Sequence, residues 1–184
     1  MARVQSNVAG LLNPTTFKTN WNNLRQANKI VLSGLYYKYN EFKPDAPNNT
    51  ITITNGKLFD KYVNGIWQNP YNEKQVFAIA SPIAKYNSLT MQVQLPSSLW
   101  YTNQSSSVQS IAIDFNDGLG YQPSTFGQIK TVTYATAGLK EWKYKLTLTN
   151  GQILYSHSKI FIAIAIHFSH LYLFNITKSI NFLY

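Results

Sequence analysis

Residues 141–150 read EWKYKLTLTN, in which Trp142, Tyr144, Leu146 and Leu148 alternate with Lys143, Lys145, Thr147 and Thr149. Successive side chains of an extended chain point to opposite faces, so the first set shares one face and the second set the other. One apolar face backed by one polar face is the pattern of an antiparallel strand buried on a single side. Asn150-Gly151 closes the run and is expected to turn it into the next strand.

Working outward, five further runs have strand character: QVFAIAS at 75–81, LTMQVQLP at 89–96, VQSIAIDF at 108–115, GQIKTVTY at 127–134 and GQILYSHS at 151–158. Strands spaced by about a dozen residues, with no amphipathic helical pattern between them, predict an all-β chain folded as an antiparallel β-sandwich over residues 75–160. Residues 1–74 are expected to form a loop and hairpin segment. Within it, ITITNGKLF at 51–59 and DKYVNGIW at 60–67 each centre on an Asn-Gly pair, which predicts two hairpins. The mixed stretch 13–35 suits loops, short strands or one weak helix. Residues 161–184 form a third, apolar segment. The run IFIAIAIHFSHLYLF at 160–174 falls short of the roughly 20 residues a membrane span needs, which leaves a last strand, a surface anchor or a non-native end of a truncated frame.

Composition narrows the function classes. Apolar residues make up 45% of the 184, and 10 Phe, 13 Tyr and 4 Trp supply material for a core, so the chain should fold. The formal charge of +9 arises from scarcity of acids, 7 against 16 Lys and Arg, and the cations are scattered singly. A nucleic-acid binder concentrates its cations to neutralise adjacent phosphates, so this pattern argues against nucleic acid as a partner. Cysteine is absent, which removes disulfides, thiolate metal sites and a cysteine nucleophile. The opening MARVQSNVAGLLNP lacks the apolar run of about 7 to 15 residues of a secretory signal peptide, so the expectation is either a protein that stays in the cytoplasm or a piece of something longer.

IAIDFNDG at 111–118, GQIKTVTYATAG at 127–138 and WKYKLTLTNG at 142–151 together resemble the PKD domain family, which has an immunoglobulin-like sandwich. Asp114, Phe115, Asp117 and Gly118 match the family's aspartate-rich turn, and Tyr134 and Gly138 match its second block. Asn116 stands where glycine is usual, an exchange that Asn tolerates because it enters the left-handed region readily. Lys140 replaces a common aromatic, while Trp142 and Tyr144 keep the buried phase. More broadly, NPYNEKQVFAIASP, LPSSLWYTN and LTLTNGQILYSHSKI look like uncharacterised secreted proteins of Bacteroidetes-type bacteria, in which further domains follow the sandwich. The resemblance implies a noncatalytic extracellular module that makes protein or carbohydrate contacts, or that spaces other domains.

Chemistry-bearing constellations are sparse. The acids are Glu41, Asp45, Asp60, Glu73, Asp114, Asp117 and Glu141, of which only Asp114 and Asp117 cluster. Asp side chains in a tight turn accept local backbone hydrogen bonds, and that structural role is expected for both. Their spacing is one residue short of a calcium loop and no bidentate Glu follows. No GxSxG string occurs. Ser156 and His157 are adjacent on a strand and therefore face opposite ways. His167 and His170 lack a third ligand. No enzyme activity, metal or cofactor is expected. The alternative function is a carbohydrate-binding accessory module of a secreted hydrolase. Its platform would be Trp67, Trp100 and Tyr121, in turn-rich segments where aromatic rings can stack on sugars. Because any platform would have to bring those residues together from separate regions, no measurable polysaccharide retention is expected.

Overall fold

A computed structural model of the chain describes residues 13–164, so the histidines at 167 and 170, and most of the apolar tail, lie outside the described residues. Asn13 caps helix α1 (Pro14–Leu24), its Oδ1 accepting from the Thr15 and Thr16 amides at 2.9 and 3.2 Å. Pro14 sits at the first helical position, where its missing N–H leaves no bond unmade. The chain continues through β1 (Lys29–Val31), β2 (Ser33–Phe42), the one-turn α2 (Ala46–Asn49), β3 (Ile51–Thr54) and β4 (Lys57–Asp60). Next come β5 (Tyr62–Val63), β6 (Ile66–Trp67), β7 (Tyr71–Ala80), β8 (Lys85–Tyr86), β9 (Thr90–Gln94) and β10 (Trp100–Thr102). The last five strands are β11 (Val108–Asp114), β12 (Tyr121–Ser124), β13 (Ile129–Thr133), β14 (Gly138–Leu148) and β15 (Ile153–Ile162).

The fold is β-rich and built from several sheets, as the alternating runs predict. Five strands pair in the order β12-β11-β14-β15-β8, three in the order β10-β2-β7, and three in the order β1-β9-β13. The hairpins β3-β4 and β5-β6 stand as separate two-stranded ribbons. The expectation of purely antiparallel pairing needs correction, because β1 with β9, β2 with β10, and β8 with β15 run parallel. Parallel neighbours need long connections between them. Each of these pairs joins segments far apart in the chain, so no local pattern announces them.

The core draws on all three larger sheets. Trp142, Tyr144 and Leu146 of β14 have no exposed surface, and they share one apolar cluster with Tyr36 of β2, Ile79 of β7, Met91 of β9 and Val132 of β13. Ile30 and Leu32 belong to the same cluster, so residues assigned on sequence to the N-terminal segment fill the interior beside those of the sandwich. Position 75, the expected start of the sandwich, falls inside β7. Strand β15 continues to Ile162, two residues into the expected tail segment, and buries that side chain.

Strands β2 and β7 form a ten-residue antiparallel ribbon in register from Ser33↔Ala80 to Phe42↔Tyr71. Its first half is buried around Gly34 and Tyr36, while Tyr39, Asn40 and Glu41 are exposed at the far half. There the ribbon is crossed by Lys38–Glu73 at 3.0 Å and Lys74–Glu41 at 3.8 Å. Residues 43–70 are an excursion from this far end. The Phe42 and Tyr71 rings stack at 4.9 Å across its base, and the Lys43 amide donates to Pro70 O at 2.8 Å. Beyond the buried Ala46 and Ile51, the two hairpins expose both faces. Asn55, Gly56, Asn64 and Gly65 have φ values of 50°, 72°, 51° and 79°, the turn conformation those Asn-Gly pairs predict.

Candidate functional site

The aspartate-rich turn leaves the end of β11. Asp114 Oδ1 accepts from the Asn116 amide at 2.8 Å, and Asp117 accepts from the Leu119 amide at 3.1 Å and from Gln122 Nε2 at 3.0 Å. Both carboxylates therefore hold the backbone of their own turn. Asn116 at φ 58° and Gly118 at φ 91° occupy the left-handed region that this path demands. Beneath it, the buried Phe115 meets Trp142 edge to face, with ring centroids 5.2 Å apart and planes at 89°. Tyr134 Oη donates to Phe115 O at 2.7 Å and accepts from Trp142 Nε1 at 2.7 Å. Burial pushes the Tyr134 phenol up to about 12, against the opposing effect of the Trp142 N–H donor. Gly138, at φ 129°, brings the chain into β14. Tyr134 thus ties the turn to the core through two residues, Phe115 and Trp142, whose hydrogen bonds the sequence motif does not reveal. Among the described residues no group of three His, Asp or Glu side chains is placed to hold a metal ion.

The three aromatics of the expected ligand platform lie on three different sheets. Trp67 ends β6 in an exposed hairpin. Trp100, on β10, packs over Gly34, where an added Cβ would come within 2.8 Å of the Trp100 ring and of Ile79 Cγ1. Its ring lies 5.5 Å from Phe126 and 6.4 Å from Phe77, so its near face is committed to packing. Only Tyr121 lies on the open face of the five-stranded sheet, and its neighbour there is Tyr155.

The strand registers define that open face. One row across it runs Tyr121, Asp114, Lys143, His157, and the next runs Pro123, Ala112, Lys145, Tyr155. These residues are out of phase with Tyr144 and Leu146, which fill the core from the opposite side. The Tyr121 and Tyr155 rings are 6.3 Å apart at 51°, and Lys145 Nζ lies 5.2 Å from the Tyr121 centroid. Burial, with smaller contributions from Tyr155 and Asp114, raises the Tyr121 phenol above its ordinary range. A depression of about 320 Å³ is lined by Tyr121, Glu141, Lys143, Tyr155, Ser156 and His157. Ser156 Oγ accepts from the Ile79 amide at 3.3 Å, so it engages β7 while His157 sits opposite Lys143. Among the described residues no hydrogen bond joins the Ser156 and His157 side chains.

Sequence reasoning did not single out Tyr155. The signal was present, because a hairpin folded about Asn150-Gly151 pairs residues whose numbers are mirrored across 150, which sets Tyr155 opposite Lys145 on the polar face.

Comparison with protein-family models and with curated proteins gives no match. Among the described residues no helix is long and apolar enough to cross a membrane.

Proposed function

We propose that this chain is a noncatalytic extracellular module that makes protein contacts, or spaces neighbouring domains, within a larger secreted polypeptide. Its β11–β15 half would be a PKD-like, immunoglobulin-type sandwich, a reading supported by the Asp114–Gly118 turn and by Tyr134 beneath it. The single observation that carries the contact role is the hairpin pair at 51–67. Ile53, Leu58, Phe59, Tyr62, Ile66 and Trp67 all stay exposed there after the chain has folded. An isolated two-stranded hairpin is marginally stable in water, and grouped exposed apolar side chains mark surfaces that associate.

A photo-crosslinking residue at Phe59 tests this in the protein as its own cells secrete it. It should join one defined polypeptide, or another segment of the same polypeptide, while the same probe at the exposed Leu119 should not. Absence of any product from Phe59 would remove the contact role. Hydrolytic turnover of a polysaccharide or peptide panel, abolished by one point substitution, would overturn the noncatalytic reading itself.

A further inference from the structure

The open face of the β12-β11-β14-β15 sheet has a chemistry that neither protein contact nor spacing explains. Tyr121 and Tyr155 are in adjacent rows on strands separated by two others, so their backbones are at least about 14 Å apart at a spacing of roughly 4.8 Å per strand. Their ring centroids are nevertheless only 6.3 Å apart. Both side chains must therefore lean inward across β11 and β14, presenting aromatic surface above the sheet instead of standing away from it. Ala112, between Pro123 and Lys145 in its row, leaves the floor low between them.

Strands β11, β14 and β15 place three cations on this face, Lys143, Lys145 and Lys159, against two acids, Asp114 and Glu141, so positive charge is in excess there. Among the described residues the ion pairs are Lys38–Glu73 and Lys74–Glu41, and none engages Lys143, Lys145 or Lys159. Asp114 lies beside Lys143 in its row, yet one of its oxygens is already held by the Asn116 amide. Glu141 lines the depression next to Lys143 and can accept hydrogen bonds from hydroxyl groups.

We propose that this face binds an anionic polysaccharide. A sugar ring stacks on the exposed Tyr155 beside Tyr121, its carboxylate or sulfate is held by Lys143 and by Lys145, whose Nζ lies over the Tyr121 ring, and a hydroxyl donates to Glu141. Aromatic rings supply the apolar stacking surface that a sugar's C–H face needs, and the lysines supply charge attraction to each acidic unit. The combination fits a polymer that carries hydroxyl donors as well as anions. It fits a nucleic acid poorly, because strong binding there requires neutralising several adjacent phosphates, and here only Lys143 and Lys145 neighbour each other along one strand. The backbone beneath the site is anchored. The same strands bury Tyr144 and Leu146 on their other side, so little ordering is required when a ligand arrives. The inference goes beyond the contact role and does not depend on the hairpins at 51–67.

Affinity electrophoresis of the full chain tests it with polygalacturonate, dextran sulfate, neutral dextran and a short duplex DNA, all at one salt concentration. At least one of the two anionic polysaccharides should retard the protein, and the stronger of them identifies carboxylate or sulfate as the recognised group. Neutral dextran should not retard it. Tyr155→Ala and Lys143→Gln should each weaken retention about tenfold, as loss of a stacking ring or a charge contact does elsewhere. Both side chains point to solvent, so each variant should keep the parent melting midpoint. Phe59→Ser should bind as the parent does, which separates this site from the hairpins. The proposal is overturned if neither anionic polysaccharide retards the protein, if DNA is held as tightly as the better of them, or if Tyr155→Ala leaves retention unchanged.

Discussion

Strand β14 and the hairpin pair at 51–67 are written in the same local grammar, apolar and polar residues in alternation around Asn-Gly turns, and they end in opposite environments. Trp142, Tyr144 and Leu146 have no exposed surface, whereas Ile66 is 68% exposed and Leu58 56%. The difference lies in what surrounds them. Strand β14 has β11 and β15 on its two edges and side chains of the other sheets against its apolar face. Strands β3 to β6 pair only with each other, two by two. Alternation specifies an extended segment and a turn. Burial requires a second layer, and that layer is assembled from distant parts of the chain.

If the contrast is right, substitutions in the two regions should differ widely in cost. The largest effect is expected for Trp142→Ala, which opens a cavity in the core and removes both the edge contact with Phe115 and the donor to Tyr134. Chemical denaturation should show a loss of about 3–5 kcal/mol. Next comes Gly34→Ala, whose new Cβ would press within 2.8 Å of Ile79 and of the Trp100 ring. Overpacking of this kind should cost about 1–3 kcal/mol, read from the same denaturation curves.

Tyr134→Phe keeps the ring and removes two hydrogen bonds, leaving Phe115 O and Trp142 Nε1 unpaired in a buried region. A loss of about 1–3 kcal/mol is expected. This variant also has a pH signature. The folded-state phenol is raised to about 12, above its unfolded value of about 10. Its contribution is therefore fully present below pH 10 and is lost as pH rises through about 12. Burial raises the Tyr144 phenol in the same direction, and that residue is present in both proteins. Melting midpoints should fall more steeply from pH 10 upward in the parent than in Tyr134→Phe. The smallest effect belongs to the hairpins, where Phe59→Ser should shift stability by no more than about 0.5 kcal/mol. A loss there as large as that of Gly34→Ala would mean that the hairpins pack on something and that the contrast is false.

Much of the framework was legible from single stretches. The six runs between 75 and 158 are all strands, the buried phase of β14 follows its alternation, and each Asn-Gly pair turns a hairpin where it stands. The parallel partners of β1, β8 and β10 were not legible, because short strands meeting across many residues leave no periodic trace. Nor was the role of residues 29–36, where Ile30, Val31 and Leu32 are consecutive, show no alternation to mark a face, and gain their meaning only from the core they enter. The site follows the same rule. Asp114, Asn116 and Asp117 act within their own turn, so local sequence suffices to read them. Trp100 was read as free for a ligand because its packing partners, Gly34, Phe77 and Phe126, lie elsewhere in the chain. Tyr155 became visible once register set it beside Lys145 and Tyr121.

The central claim, one cooperative core with hairpins that contribute little to it, is tested most directly by native-state hydrogen exchange. Amides in the middle of β14, from Trp142 to Leu148, should exchange only through global unfolding, since that strand is bonded on both edges. Amides of β3 to β6 should open locally and exchange at least about a hundredfold faster. Equal protection in the two regions, rising and falling together with denaturant, would contradict the account and make the hairpins part of the same folding unit.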